Sequence, residues 1–179
     1  MKFLCTRNWV KPPGLHLHPR QLIFCSGGTT VAQAIKSLRG MPVTVVTNVI
    51  NIALELASGR QTEVVLTGGN LRSPSYETVG YVAERVIGEF AADVALLGVD
   101  GLTVENGLTT FNPAEAFVNR LFIQHAREVW VLADRSKLGR ITPAVIAPLT
   151  KTHLLITDAG APEALLKELR ARGVRVMTV

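Results

Sequence analysis

The chain has 179 residues, of which 47% are apolar and 18% charged, enough for one ordinary domain with a good core. No uninterrupted apolar run reaches bilayer-spanning length, so no membrane partner is expected. The formal charge of +5 is spread along the sequence without a basic run, so it admits nucleic acid or a small anion and chooses neither.

The first residues lack a sustained apolar segment and a small-residue cleavage site, so no signal peptide and a cytoplasmic location are expected. Cys5 and Cys25 fit no metal spacing and are expected to be reduced thiols. Residues 1–20 hold Pro12, Pro13 and Pro19 without clear periodicity, which predicts an irregular lead-in to a domain over 21–179. His16 and His18 flank one Leu there; no third ligand stands nearby, so a plain loop is expected rather than a metal pair.

From Gln21 short apolar runs alternate with helix-like stretches. A strand over 21–25 precedes a helix over 29–39, where Val31, Ile35 and Leu38 keep one apolar face. A strand over 43–46 leads to a helix over 49–58, and a strand over 63–67 to a glycine loop and a helix over 78–89. A strand over 94–99 opens a loop of about a dozen residues, a length that is usually functional or mobile. Pro113 fits the first turn of a helix running to Arg127. A strand over 129–133, a short segment over 144–147 and a strand over 154–157 follow. A helix over 162–172 with Gly173 at its C′ position and a strand over 174–178 complete the chain. The pattern predicts an α/β fold: a mainly parallel open sheet with helices on both faces.

Five of these strands end in polar clusters, and ligands of open parallel sheets bind outside such carboxyl ends. Ser26, Gly27, Gly28, Thr29 and Thr30 open a helix, so they form either an anion cradle of backbone N–H groups or a tight turn with an N-cap. They match neither a Walker loop nor the dinucleotide fingerprint. Thr47 and Asn48 read equally as a turn or as ligand contacts. Gly68 and Gly69 expose backbone, and Arg72 after them can fork onto phosphate or carboxylate or remain a solvated charge. Asp100 can accept sugar hydroxyls or close an Asx turn, and Thr109 and Thr110 end the same long loop. Asp134, Arg135, Ser136 and Lys137 form the densest group; Lys137 suits a phosphate or sugar oxygen, with solvent as its plain alternative. Asp100, Glu105, Glu115 and Asp134 are the carboxylates available for acid–base work, without a defined geometry. His125 and His153 lack a nucleophile partner and read as structural.

Together these loops resemble the C-terminal sensor domain of DeoR-type bacterial transcriptional repressors. The resemblance runs from Leu22 to Asp158 and rests on SGGTT at 26–30, TN at 47–48, GGNLR at 68–72, GVDG at 98–101, GLTT at 107–110, EA at 115–116 and ADRSKLG at 133–139. It implies a Rossmann-like fold shared with ribose-5-phosphate isomerase and the coenzyme A transferases. It also implies a phosphorylated sugar or related metabolite at these loops, acting as an inducer, with no cofactor and no chemistry of the chain's own. Self-association into a homo-oligomer is expected on the same ground. The residues before Leu22 hold no recognisable helix-turn-helix, so no direct DNA contact is expected from this chain. Cys25 stands where the family usually has Asp, and Asn119 where Lys is frequent. A sugar-phosphate isomerase on the same fold is the alternative; Leu102-Thr103 stands where such enzymes carry a further acid pair.

Overall fold

The computed structural model describes residues 17–179. Strand β1 (Leu22–Cys25) passes through a glycine turn into α1 (Thr29–Ala34), which tightens to a 3-10 turn over Ile35–Leu38. Strand β2 (Thr44–Thr47) is followed by α2 (Ile50–Ala57). After β3 (Glu63–Leu66) the chain forms an antiparallel ribbon of β4 (Asn70–Arg72) and β5 (Glu77–Val79), then α3 (Tyr81–Gly88). Strand β6 (Ala92–Gly98) leads into a hairpin of β7 (Gly101–Thr103) and β8 (Gly107–Thr110). Helix α4 (Pro113–Gln124), β9 (Ala126–Leu132) and β10 (Ala144–Ala147) come next. The chain ends with β11 (Leu154–Thr157), α5 (Glu163–Ala171) and β12 (Arg175–Thr178).

Seven strands pair in parallel in the order β12-β11-β9-β6-β1-β2-β3. The chain starts in the middle at β1, moves outward to β3, returns at β6 and moves outward the other way to β12. The strand order therefore reverses between β1 and β6. At such a reversal the loops leave adjacent strands in opposite directions and open a crevice at their carboxyl ends.

Both faces of the sheet are apolar because alternate residues of each strand point to opposite sides. Ile23 and Cys25 of β1 pack with Val31, Ile35, Ile52 and Leu56 from the α1–α2 side. Phe24, between them in sequence, joins Phe122 of α4 and Leu166 and Leu169 of α5 on the opposite side. The Phe24 and Phe122 rings stack at 4.8 Å with 28° between their planes. Helices thus cover both faces, as the alternating pattern predicted. Helix α4 starts where it does because Asn112 Oδ1 accepts from the backbone N–H groups of Ala114 (2.9 Å) and Glu115 (3.3 Å), and Pro113 needs no partner at the first position.

Three expectations change. The loop over 101–110 is the β7–β8 hairpin, extended by β10 into a second, three-stranded sheet and buried along both hairpin strands. Its two strands pack as core rather than forming a mobile loop. The glycine loop of GGNLR is partly strand, since Asn70–Arg72 pairs with Glu77–Val79. Helix α4 stops at Gln124, and β9 begins at Ala126 rather than at 129. His18 is exposed, with its backbone N–H bonded to Gln21 Oε1, while Cys5 and His16 lie outside the described residues. No group of three His, Cys, Asp or Glu among the described residues is placed to hold a metal ion, and no helix among them is long and apolar enough to cross a membrane.

Phe24 touches both the sheet and α4, so truncating it leaves a cavity that the stacked partner cannot fill. Phe24→Ala is expected to cost roughly 3–5 kcal/mol in chemical denaturation, whereas Leu54→Ala on the exposed face of α2 should stay within about 0.5 kcal/mol.

Candidate functional site

The crevice at the strand reversal is a cleft of about 340 Å³. Gly27, Gly28 and Thr29 after β1 form one wall, and Gly98, Val99 and Asp100 at the end of β6 form the next. Glu115 and Asn119, one turn apart on α4, line it together with Thr110, Glu77 and Ser75.

The two loops meet at a separation that only glycine allows. A Cβ on Gly98 would overlap the carbonyl of Gly27, and a Cβ on Gly27 would overlap the carboxylate of Glu77. Ser26 ties the loops together: its N–H donates to Leu96 O at 3.0 Å, and its Oγ accepts from Gly98 N–H at 2.9 Å. Gly28, at φ 118°, caps α1 without a side chain. The first N–H groups of that helix consequently have no side-chain acceptor, and helix geometry gives them no partner within the helix.

Three carboxylates face the cleft: Glu77, Asp100 and Glu115. Lys137 Nζ donates to Asp100 Oδ1 at 3.2 Å, and Arg72 Nε donates to Glu115 Oε1 at 3.0 Å. Thr110 joins the two pairs, donating to Asp100 Oδ2 at 2.9 Å with Glu115 Oε2 at 3.4 Å. Glu77 stands apart from both ion pairs and is only 8% exposed. Burial, reinforced by the negative charges of Glu115 and Asp100, pushes its carboxyl up to about 7; the Asn48 amide and Arg72 oppose this. Its backbone is held from both sides: Ile50 N–H donates to Tyr76 O at 3.0 Å, and Thr78 N–H to Asn48 O at 2.7 Å. Tyr76, in the left-handed region at φ 55°, turns the chain into β5 just before it.

The sequence-predicted residues divide accordingly. Gly27, Gly28, Thr29, Asp100 and Thr110 line the cleft. Ser26 knits its two loops from behind. Thr30 lies on α1 outside the lining. Thr47 is buried, donating to Cys25 O at 2.7 Å and accepting from Val49 N–H at 3.1 Å. Asn48 is buried too, donating to Thr78 O at 3.1 Å, while its Oδ1 has no partner. Gly68 and Gly69, both at positive φ, turn the chain from β3 into β4 away from the cleft lining. Thr109 belongs to the second sheet, where its Oγ1 lies 2.9 Å from Thr142 Oγ1. Arg72 and Lys137 are not free cations awaiting an anion, because each is committed to a carboxylate of the cleft.

Cys25 is a free thiol buried in the core under α1, where desolvation pushes its pKa up and keeps it protonated and inert. His153 accepts Val129 N–H on Nδ1, a structural role as predicted. Glu77, Ser75 and Asn119 were not among the predicted ligand residues, although Glu115 was among the candidate carboxylates. No local motif marks Glu77; its environment comes from Gly27 and Asn48, both remote in sequence.

Residues 15–159 match the model of the family described as the DeoR C terminal sensor domain. The chain belongs to this family. The DeoR-type chain is 35% identical over 158 residues to the HTH-type transcriptional regulator GlpR of Haloferax volcanii, covering 88% of itself and 62% of that protein. It is 33% identical over 161 residues to the HTH-type transcriptional repressor GlcR of Bacillus subtilis, covering 90% and 62%. To the glycerol-3-phosphate regulon repressor of Escherichia coli it is 29% identical over 150 residues, covering 82% and 59%. The DeoR-type chain therefore spans about three fifths of the length of these curated relatives. It also overlaps in part a ribose 5-phosphate isomerase A structure from Methanocaldococcus jannaschii, with TM-score 0.48, 18% identity, and coverage of 68% and 48%.

The raised Glu77 pKa makes stability depend on pH. The unfolded carboxyl ionises near 4.5 and the folded one near 7, so the fold is favoured below 4.5 and loses that contribution as pH rises through 7. The full loss is on the order of 3 kcal/mol. Glu77→Gln is expected to flatten this part of the stability profile and to melt higher than the parent at pH 8. An unchanged profile would show that Glu77 ionises normally.

Proposed function

We propose that the cleft receives a small phosphorylated sugar or polyol, and that this domain senses the ligand rather than transforming it. The observation that carries the reading is the arrangement at the strand reversal: donors on one wall and acceptors on the other. The uncapped N–H groups after Gly28, with the Thr29 hydroxyl, suit a phosphate. Asp100 and Glu115, fixed by Lys137, Arg72 and Thr110, suit the hydroxyls of the carbon chain. Both ion pairs hold the acceptors in place, so little reorganisation accompanies binding. A cleft of about 340 Å³ sits at the small end of ligand sites and fits one small metabolite.

Family membership and the names of the relatives support the rest of the proposal. Relatives named as transcriptional regulators and repressors, one of them of a glycerol-3-phosphate regulon, support reading this domain as the effector-binding part of a regulator of carbohydrate metabolism. The described residues are assigned no direct DNA contact. A signal leaves the domain only if the ligand prefers one arrangement of the protein over another, most simply at a contact between copies of the chain.

One observation favours a second reading. A buried carboxyl with a pKa of about 7 is suited to act as a general base, which an aldose–ketose isomerase requires. The two readings separate in one series of assays. Thermal melting against a panel of phosphorylated sugars and polyols at millimolar concentration should reveal at least one that raises the melting temperature, because a ligand of the native state stabilises it. Asp100→Ala should remove most of that shift. The stabilising ligands should be recovered unchanged after incubation; turnover would replace sensing with catalysis, and no shift from any of them would remove the phosphosugar reading.

A further inference from the structure

Glu77 sits where the ligand's charge would be felt most. Its carboxylate lies directly against Gly27, so close that a Cβ there would overlap it. Any anion taken up by the N–H groups beyond Gly28 therefore becomes its neighbour. The bonds that lock Tyr76 and Thr78 to segment 48–50 keep its backbone from retreating. The charged groups around it come from every packed element: Glu115 on α4, Arg72 on β4 and Asp100 after β6, with the Asn48 amide after β2. Arg72 is bound to Glu115 and Lys137 to Asp100. Arg72 and the Asn48 amide partly offset a charge on Glu77 but do not outweigh its burial and the charge of Glu115.

We propose that Glu77 is the specificity-determining residue of the cleft: as a neutral acid it admits an anion on the turn after β1, and as a carboxylate it turns that anion away. The inference rests on the phosphosugar reading above and adds a proton to it. The uncharged acid can donate its O–H to the anion, whereas the carboxylate only accepts. An uncharged polyol carries hydroxyls that bond either form, so its binding stays insensitive to the state of Glu77. Because the carboxyl titrates near 7, anion binding above that pH draws in a proton. The occupancy of the site then rises as the surroundings acidify, which couples the sensor to pH.

Inorganic sulfate is the suitable first probe, since it is fully ionised, and its own charge constant, across roughly pH 6 to 8.5. Isothermal titration of the 179-residue chain should show sulfate affinity falling by up to about tenfold per pH unit above 7, the limit for one linked proton. Glu77→Gln should bind sulfate with little pH dependence. Titration of the parent in two buffers of different ionisation enthalpy should show proton uptake approaching one per anion at pH 8, which decides the matter even if the variant folds poorly. Sulfate binding without proton uptake and with the same affinity across this range overturns the role of Glu77 and leaves the ligand reading standing. Failure of sulfate and of every phosphorylated metabolite to bind at any pH overturns both.

Discussion

The site depends on the contact between Gly27 and Gly98. Two parallel strands bring their carboxyl ends side by side, and the chain leaves them in opposite directions because the sheet order reverses there. A side chain at position 98 would force the loops apart, since the space is already filled by the Gly27 carbonyl, whereas one at position 27 would displace the Glu77 carboxylate. Ser26 then fixes the contact with one donor and one acceptor. Two parts of the cleft's chemistry are carried by these loops, the open helix start on one and Asp100 on the other. Glu77, Thr110 and Glu115 close the cleft from β5, β8 and α4.

A second feature is how the cations are used. Arg72 and Lys137 each meet a carboxylate of the cleft, with Thr110 bonded to both pairs. Half-exposed ion pairs contribute little to stability on their own. Their value here is geometric, because they hold Asp100 and Glu115 as oriented acceptors. Glu77 receives no such partner and carries the electrostatic cost of burial as a raised pKa. The same deficit that weakens the fold at high pH gives the cleft a group able to distinguish anions from neutral ligands.

The architecture was legible in the sequence because parallel strands write it plainly. LIFC, TVVT and the apolar stretches of β6 and β9 are buried on both faces, and each is followed by a helix or a polar turn. The hairpin was hidden by its polar flanks, although Asn106-Gly107, where GLTT begins, is a turn signal that would have found it. Gly27, Gly28, Thr29, Asp100 and Thr110 could be read as cleft candidates because their loops end neighbouring strands. The partners of Arg72 and Lys137 could not, as Glu115 lies 43 residues from one and Asp100 37 residues from the other. Those pairings exist only once the sheet has folded.

The central claim is that one small anionic metabolite is held between the turn after β1 and the end of β6. Amide chemical shifts of the ¹⁵N-labelled chain, followed during titration with a stabilising sugar phosphate, test it most directly. The account predicts that the largest changes fall on Gly27, Gly28, Thr29, Gly98 and Asp100 and saturate together. Changes centred on another face of the domain, with these amides unmoved, would contradict it.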